Sequence, residues 1–238
     1  MKIGLFSDPH YCQADDLGLN RRPIYSLDKI REAMETFKKQ GVEICFCLGD
    51  IVDRAKTDTK KEVLENLSAV MSVINEYGIP FYLVPGNHDF VDLTREDFKN
   101  AGVSIPDPYL TVECDSCSFF LIDANVRSSG NHFDTEGHVW DDANINTDTF
   151  KIAFSAFVST PKKHIVMVHE NLEPTVQEQH IIKNADSMRD IIRESKGVEL
   201  VIQGHYHEGS EWQDGDVHYH TVKAMCLGKT NWYEIMEM

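Results

Sequence analysis

Five short blocks of this sequence carry residue types that bind metal ions and move protons. They are Asp8-Pro9-His10, Gly49-Asp50-Ile51-Val52-Asp53-Arg54, Gly86-Asn87-His88-Asp89, His169, and Gly204-His205-Tyr206-His207. Imidazole and carboxylate together favour manganese, iron, zinc, cobalt or nickel over calcium. There are donors enough for two ions, and a carboxylate has two oxygens with which to bridge them. Two ions roughly 3.5–4 Å apart orient an attacking and a leaving oxygen in line, the arrangement used to cleave phosphate esters, and they lower the pKa of water held between them. Each block alone has an ordinary reading: Asp8-x-His10 is a common pair, Asn87-His88 after a glycine is a turn sequence, and His205 and His207 would share one strand face. No serine or cysteine stands in an activated setting, so no protein nucleophile is expected.

Side chains so far apart in sequence meet only if the fold gathers them. An apolar strand pattern precedes each block, and strands are expected at 2–7, 44–48, 81–84, 164–168 and 200–203. Leu27, Ile30, Met34 and Phe37 recur at helical spacing ahead of Gly41. Val63, Leu64, Leu67, Val70, Met71 and Ile74 stripe a second helix that Gly78 closes. Strands alternating with helices predict a largely parallel α/β sheet, and ligand sites in open α/β sheets lie beyond the carboxyl ends of the strands. Glycines beside the blocks (Gly49, Gly86, Gly204) allow sharp turns there.

The second half is more antiparallel. Residues 109–114 and 117–122 read as a hairpin, and 212–214 turns through Gly215-Asp216 into a strand at 217–222. A helix is expected over 147–159 with Phe150, Phe154 and Phe157 on one face, and a mixed helical region over 177–195. The polar segment 124–146 reads as a long loop with little structure. With no linker or repeat, one domain over 1–238 is expected.

The 238 residues are 42% hydrophobic, enough for a sizeable core, and the formal net charge is −16. That balance argues against coating nucleic acid or an anionic membrane by charge alone, while bound cations would still admit an anionic substrate. No apolar run reaches the ~20 residues of a membrane-spanning helix, and no signal-peptide pattern opens the chain, so a cytoplasmic location is expected. Six cysteines are too sparse for a disulfide scaffold. Cys45 and Cys47 read as buried strand residues, and Cys114-x-x-Cys117 lacks the second pair of a zinc site and reads as a hairpin with reduced thiols. His132, His138, His164, His180, His218 and His220 read as loop or surface residues, the last two sharing one strand face.

As a set, the blocks resemble the calcineurin-like metallophosphoesterase superfamily, whose pattern is D-x-H, G-D-x-x-D, G-N-H-[DE], a lone H, then G-H-x-H. The match runs from Asp8 to His207. The resemblance implies a four-layer α/β/β/α sandwich of two mixed sheets flanked by helices. It further implies that Asp8, His10 and His207 hold one ion, that Asn87, His169 and His205 hold a second, and that Asp50 bridges them. The ions would be manganese, iron or zinc. His88 would protonate the leaving oxygen, Asp53 would orient His88, and Arg54 would match a phosphate-contacting arginine of the protein phosphatase branch. Glu170-Asn171 follows His169 where many members have a second His or Pro. A finer resemblance joins Arg21-Arg22-Pro23-Ile24-Tyr25-Ser26-Leu27 to the manganese-dependent ADP-ribose/CDP-alcohol diphosphatase branch. There Arg21 or Arg22 could clamp a second phosphate bidentately, although that branch usually has Glu where Asp89 stands.

The expected activity is therefore dinuclear-metal hydrolysis of a phosphoester or diphosphate in a small phosphorylated substrate, such as ADP-ribose or a CDP-alcohol. The alternatives are a nuclease or cyclic-nucleotide phosphodiesterase of the same fold, or a binding module that has lost its chemistry. The basic pairs Lys38-Lys39, Lys60-Lys61 and Lys162-Lys163 form no stripe suited to duplex nucleic acid. A binding module would have no need of His10, His88, His205 and His207 together.

Overall fold

Adjacent residues of single strands face different cores, and that alternation builds the molecule, here a computed structural model describing residues 1–238. In β1 (Lys2–Phe6), Leu5 points into one apolar layer and Phe6 into another. Phe119 and Phe120 divide in the same way in β5 (Cys117–Ile122), as the two-residue period of a strand requires.

Two mixed sheets result. In the first, β1 runs parallel to β2 (Ile44–Cys47), β2 runs parallel to β3 (Phe81–Leu83), and β10 (Glu234–Glu237) closes the other edge antiparallel to β1. The second has the order β4 (Tyr109–Glu113), β5, β6 (Lys163–Val168), β7 (Val198–Gln203), β9 (Val217–Thr221), β8 (Ser210–Asp214). Its four inner strands are parallel, and β4 and β8 are antiparallel edges. Leu5, Phe46, Phe119, Met167 and Ile202 fill the space between the sheets. Helices α1 (Ser26–Gln40) and α2 (Lys60–Asn75) cover the first sheet around Phe6, Phe37 and Val70. Helices α5 (Thr147–Phe157) and α6 (Ala185–Glu194) cover the second around Phe120, Phe154 and Met188. This is the expected four-layer sandwich.

Local chemistry sets the helix ends. Gly41 takes φ 71° and stops α1, a conformation that costs a residue with a Cβ atom. Thr59 and Glu62 form a capping box at the start of α2, and the Asn146 side chain accepts from Thr149 N at the start of α5.

Several features depart from the sequence reading. The segment between β3 and β4 holds α3 (Arg95–Asn100), capped reciprocally by Thr94 and Asp97. The segment 124–146 is not featureless. It contains α4 (Phe133–Glu136), whose Phe133 is buried in the first core. Strand β10 was not expected, because Glu234-Ile235-Met236-Glu237 is four residues long with a charge at each end. His164 is a buried residue rather than a surface one: Nδ1 lies 2.9 Å from Ser118 Oγ and Nε2 2.9 Å from the Thr160 carbonyl. All six cysteines are free thiols. No helix is long and apolar enough to cross a membrane.

Candidate active site

Each chemistry-bearing block begins where a strand ends: β1 delivers Asp8 and His10, β2 delivers Asp50 and Asp53, β3 delivers Asn87 and His88, β6 delivers His169, and β7 delivers His205 and His207. The backbone turns abruptly there. Asp8, His10, Asp50 and His205 have φ of 50°, 47°, 50° and 63°, in the left-handed region that non-glycine residues seldom enter. Strain gathered at one locus marks residues held for a purpose other than stability. The neighbouring glycines answer to close approach. A Cβ at Gly86 would strike Asp50 Oδ1 and His169, one at Gly49 would strike His169, and one at Gly204 would strike Ser7.

The gathered side chains form two groups that share one carboxylate. In the first, His207 Nε2 lies 3.3 Å from Asp8 Oδ1 and 3.1 Å from His10 Nε2. In the second, the His169 and His205 rings are 5.0 Å apart, centre to centre, and Asn87 lines the same cavity as His205. Asp50 Oδ2 stands between the groups, 3.4 Å from His10 Nε2 and 3.4 Å from His169 Nε2, while Asp50 Oδ1 accepts from His88 N at 2.8 Å.

The donors fit a pair of transition-metal ions. Asp8 Oδ1, Asn87 Oδ1, His169 Nε2 and His205 Nε2 are buried and have no hydrogen-bond partner, an expensive arrangement for polar atoms unless a ligand meets them. The outer nitrogens are tied down: His169 Nδ1 faces the Leu48 carbonyl, and His10 Nδ1 lies 3.1 Å from Asp53 Oδ2. Such contacts fix the tautomer and leave the inner Nε2 bare, as metal-binding imidazoles require. The electrostatics agree. Burial opposes charge, yet Asp50, Asp53 and Asp8 push His10 up to about 10, and Asp50 and Asp8 push His169 up to about 10. Against the same burial, these imidazoles hold Asp50 and Asp53 below the usual carboxylate range. His205, buried beside His169, is held well below its ordinary value. The cluster draws positive charge into its centre, which bound cations supply.

Asp53 does more than the motif implies. Its Oδ1 lies 3.2 Å from His88 Nδ1, its Oδ2 faces His10, and Arg21 approaches Oδ2 at 3.4 Å. Of the three arginines, only Arg21 lines the cavity over the cluster. Arg22 turns to Asp15 and Asp16, and Arg54 pairs with Asp92 at 3.1 Å, so local acidic partners draw both away from it. Asp89 accepts from the backbone N–H groups of Asp50, Ile51 and Gly86 at 2.9, 2.9 and 2.8 Å and thereby locks the second block to the third.

The cavity holds about 590 Å³. Two residues that line it, His180 and Trp140, and one beside it, His138, escaped the sequence reading. His180, expected on a loop surface, packs its ring 4.9 Å from that of His205. Trp140 stands half-exposed at the rim against His180. His138, also expected on a surface, brings Nε2 to 3.0 Å from Asn87 Nδ2. None has a spacing relation to the five blocks, so no local signal marks them.

Comparison with known proteins gives a consistent result. A sequence model described as calcineurin-like phosphoesterase matches residues 1–209. A probable cyclic nucleotide phosphodiesterase of Psychrobacter arcticus is 23% identical over 214 residues, 85% of this chain and 70% of that protein. The 3',5'-cyclic adenosine monophosphate phosphodiesterase CpdA of Haemophilus influenzae is 22% identical, covering 95% of this chain and 77% of that protein. A dimetal phosphatase from Danio rerio superposes with a TM-score of 0.82 at 17% identity, covering 98% of this chain and 91% of that one, a likeness of fold.

Proposed function

The chain belongs to the calcineurin-like phosphoesterase family and is a metal-dependent phosphoesterase, and on that premise we propose that it hydrolyses a diphosphate bond in a small nucleotide-type molecule. The carrying observation is the meeting, in one 590 Å³ cavity, of unpartnered metal-type donors with Arg21 and the half-exposed Trp140. An arginine suits a phosphate, and a flat indole face at the rim suits a nucleobase. The −16 net charge disfavours a polymeric nucleic acid as substrate.

Asp8, His10 and His207 would hold one ion, and Asn87, His169 and His205 the other, with Asp50 between them. Such ions supply Lewis-acid charge to a phosphoryl group and lower the pKa of water. Asp53 accepts from His88 Nδ1, so a ring protonated at both nitrogens would turn its Nε2–H toward the departing oxygen as the acid. Asp53 also keeps the His10 ring turned so that Nε2 faces inward. Arg21, held near Asp53, is positioned to take a second phosphate. A 3',5'-cyclic nucleotide is the second reading, favoured by relatives that carry that name.

The test is a substrate panel with manganese: ADP-ribose, CDP-choline, cyclic AMP and p-nitrophenyl phosphate. The highest kcat/KM on ADP-ribose or CDP-choline supports the first reading, and the highest on cyclic AMP supports the second. Faster turnover of p-nitrophenyl phosphate than of every nucleotide overturns both.

A further inference from the structure

At the sandwich edge where Glu234 of β10 in the first sheet reaches His220 of β9 in the second, a separate cluster of ligating side chains stands outside the cavity. His218 and His220 alternate along β9 and share a face. Glu211 on β8 is the direct cross-strand partner of His220. Its carboxylate reaches both rings: Oε2 lies 2.6 Å from His218 Nε2 and Oε1 2.6 Å from His220 Nδ1.

The outer nitrogen of each ring is already committed to an acceptor. His220 Nε2 lies 2.8 Å from Glu234 Oε2, which can only accept a hydrogen bond. His218 Nδ1 lies 3.3 Å from Gln213 Oε1, and the amide is fixed that way round because Gln213 Nε2 donates to the Gly215 carbonyl at 2.9 Å. A neutral imidazole that donates outward presents a bare lone pair inward. In that state His218 Nε2 and His220 Nδ1 aim lone pairs at the two oxygens of an anionic carboxylate. Such a contact is repulsive unless a cation lies between the three groups.

We infer that His218 Nε2, His220 Nδ1 and Glu211 form a third metal site, for a zinc-class divalent ion, with Glu234 and Gln213 orienting the two rings. Two imidazoles and one carboxylate are the donor set of an open zinc site, and the outward hydrogen bonds match the carboxylate–histidine support such ligands receive. The ligand atoms lie within 4.8 Å of one another, so little movement would close them on an ion. Because Glu234 belongs to β10, an ion here would tie the two sheets together at their open edge. The rival arrangement is two imidazolium rings salt-bridged by the glutamates.

Equilibrium dialysis of the full chain against micromolar zinc near pH 7.5, with metal counted by mass spectrometry, separates the two. The wild-type protein should hold about one more zinc per chain than His218→Ala/His220→Ala, and zinc should raise its melting temperature further. Manganese-supported phosphoesterase turnover should stay unchanged, since these residues lie off the cavity. Glu211→Gln, which keeps the side-chain shape, should lose the same ion and serves if the double variant does not fold. Cobalt in place of zinc should add a d–d absorption band that both variants lose. Equal zinc content in the wild type and a folded variant overturns the site. The readout is a difference, so it stands however many ions the cavity takes up.

Discussion

Asp53 Oδ1 lies 3.2 Å from His88 Nδ1, so the proposed proton donor leans on the carboxylate whose other oxygen steadies His10 at 3.1 Å. Acid and metal ligand therefore share one brace. Asp53→Asn removes the charge and can accept from only one ring at a time through its single carbonyl oxygen. Kcat should fall roughly 10–100-fold, the usual cost of losing such a supporting carboxylate. Metal content should also fall, because His10 loses its anchor. An unchanged kcat would show that neither ring depends on Asp53.

His88 and Asp50 separate chemistry from metal holding. His88→Ala should retain the ions and lose about 10²–10⁴-fold in rate on substrates with poor leaving groups. The loss should be much smaller for p-nitrophenol, which departs without a proton. Asp50→Asn should lose metal outright, since Asp50 Oδ2 is 3.4 Å from both His10 and His169. Kinetics on paired substrates together with metal analysis would read both. A uniform loss for His88→Ala across leaving groups would contradict its role as acid.

Gly86 tests how tightly the cluster is built. A Cβ there would lie 2.6 Å from Asp50 N and 2.7 Å from His169 Nε2. Neither can retreat: the backbone N–H is bonded to Asp89, and the imidazole is wedged against the Leu48 carbonyl. Gly86→Ala should cut metal uptake and activity at least ~10-fold while the circular dichroism spectrum is retained. Gly130→Ala is the control. It meets nothing within 4 Å and carries only backbone strain at φ +90°, so it should lower stability by about 1–2 kcal/mol without touching metal uptake.

The convergence of the five blocks is legible in the sequence because every block sits at the end of an apolar strand, and strand ends converge in an α/β sheet. Where Arg22 and Arg54 point is not legible in the sequence because charge pairing is decided in space: Asp16 lies 3.1 Å from Arg22 and Asp92 3.1 Å from Arg54, which no motif encodes. His180 and Trp140 reach the cavity from segments without regular periodicity, so their direction cannot be read from spacing. Strand β10 depends on a long-range partner, β1, at the far end of the chain. Its own residues have too little β preference to announce it.

His132 offers a pH-dependent stability test away from the metal ligands. Its Nε2 lies 3.0 Å from Asp123 Oδ2 and its Nδ1 2.7 Å from Asp134 Oδ1, so both ring nitrogens face carboxylates. Burial and the nearby Arg95 oppose protonation, but Asp123 and Asp134 outweigh them and raise the pKa above the ordinary 6.5. A raised folded-state value means that folding favours the protonated ring. Its contribution is fully present below about pH 6.5 and is lost as pH rises through the folded value. His132→Gln keeps an amide able to donate to one carboxylate but cannot titrate. Between about pH 6 and pH 9 the wild-type melting temperature should therefore fall more steeply than that of the variant, with each kcal/mol appearing as about 2–4 °C. Parallel curves would mean that the ring is neutral throughout, leaving Arg95, 2.5 Å from Asp123 Oδ2, as the only charge offsetting that buried carboxylate.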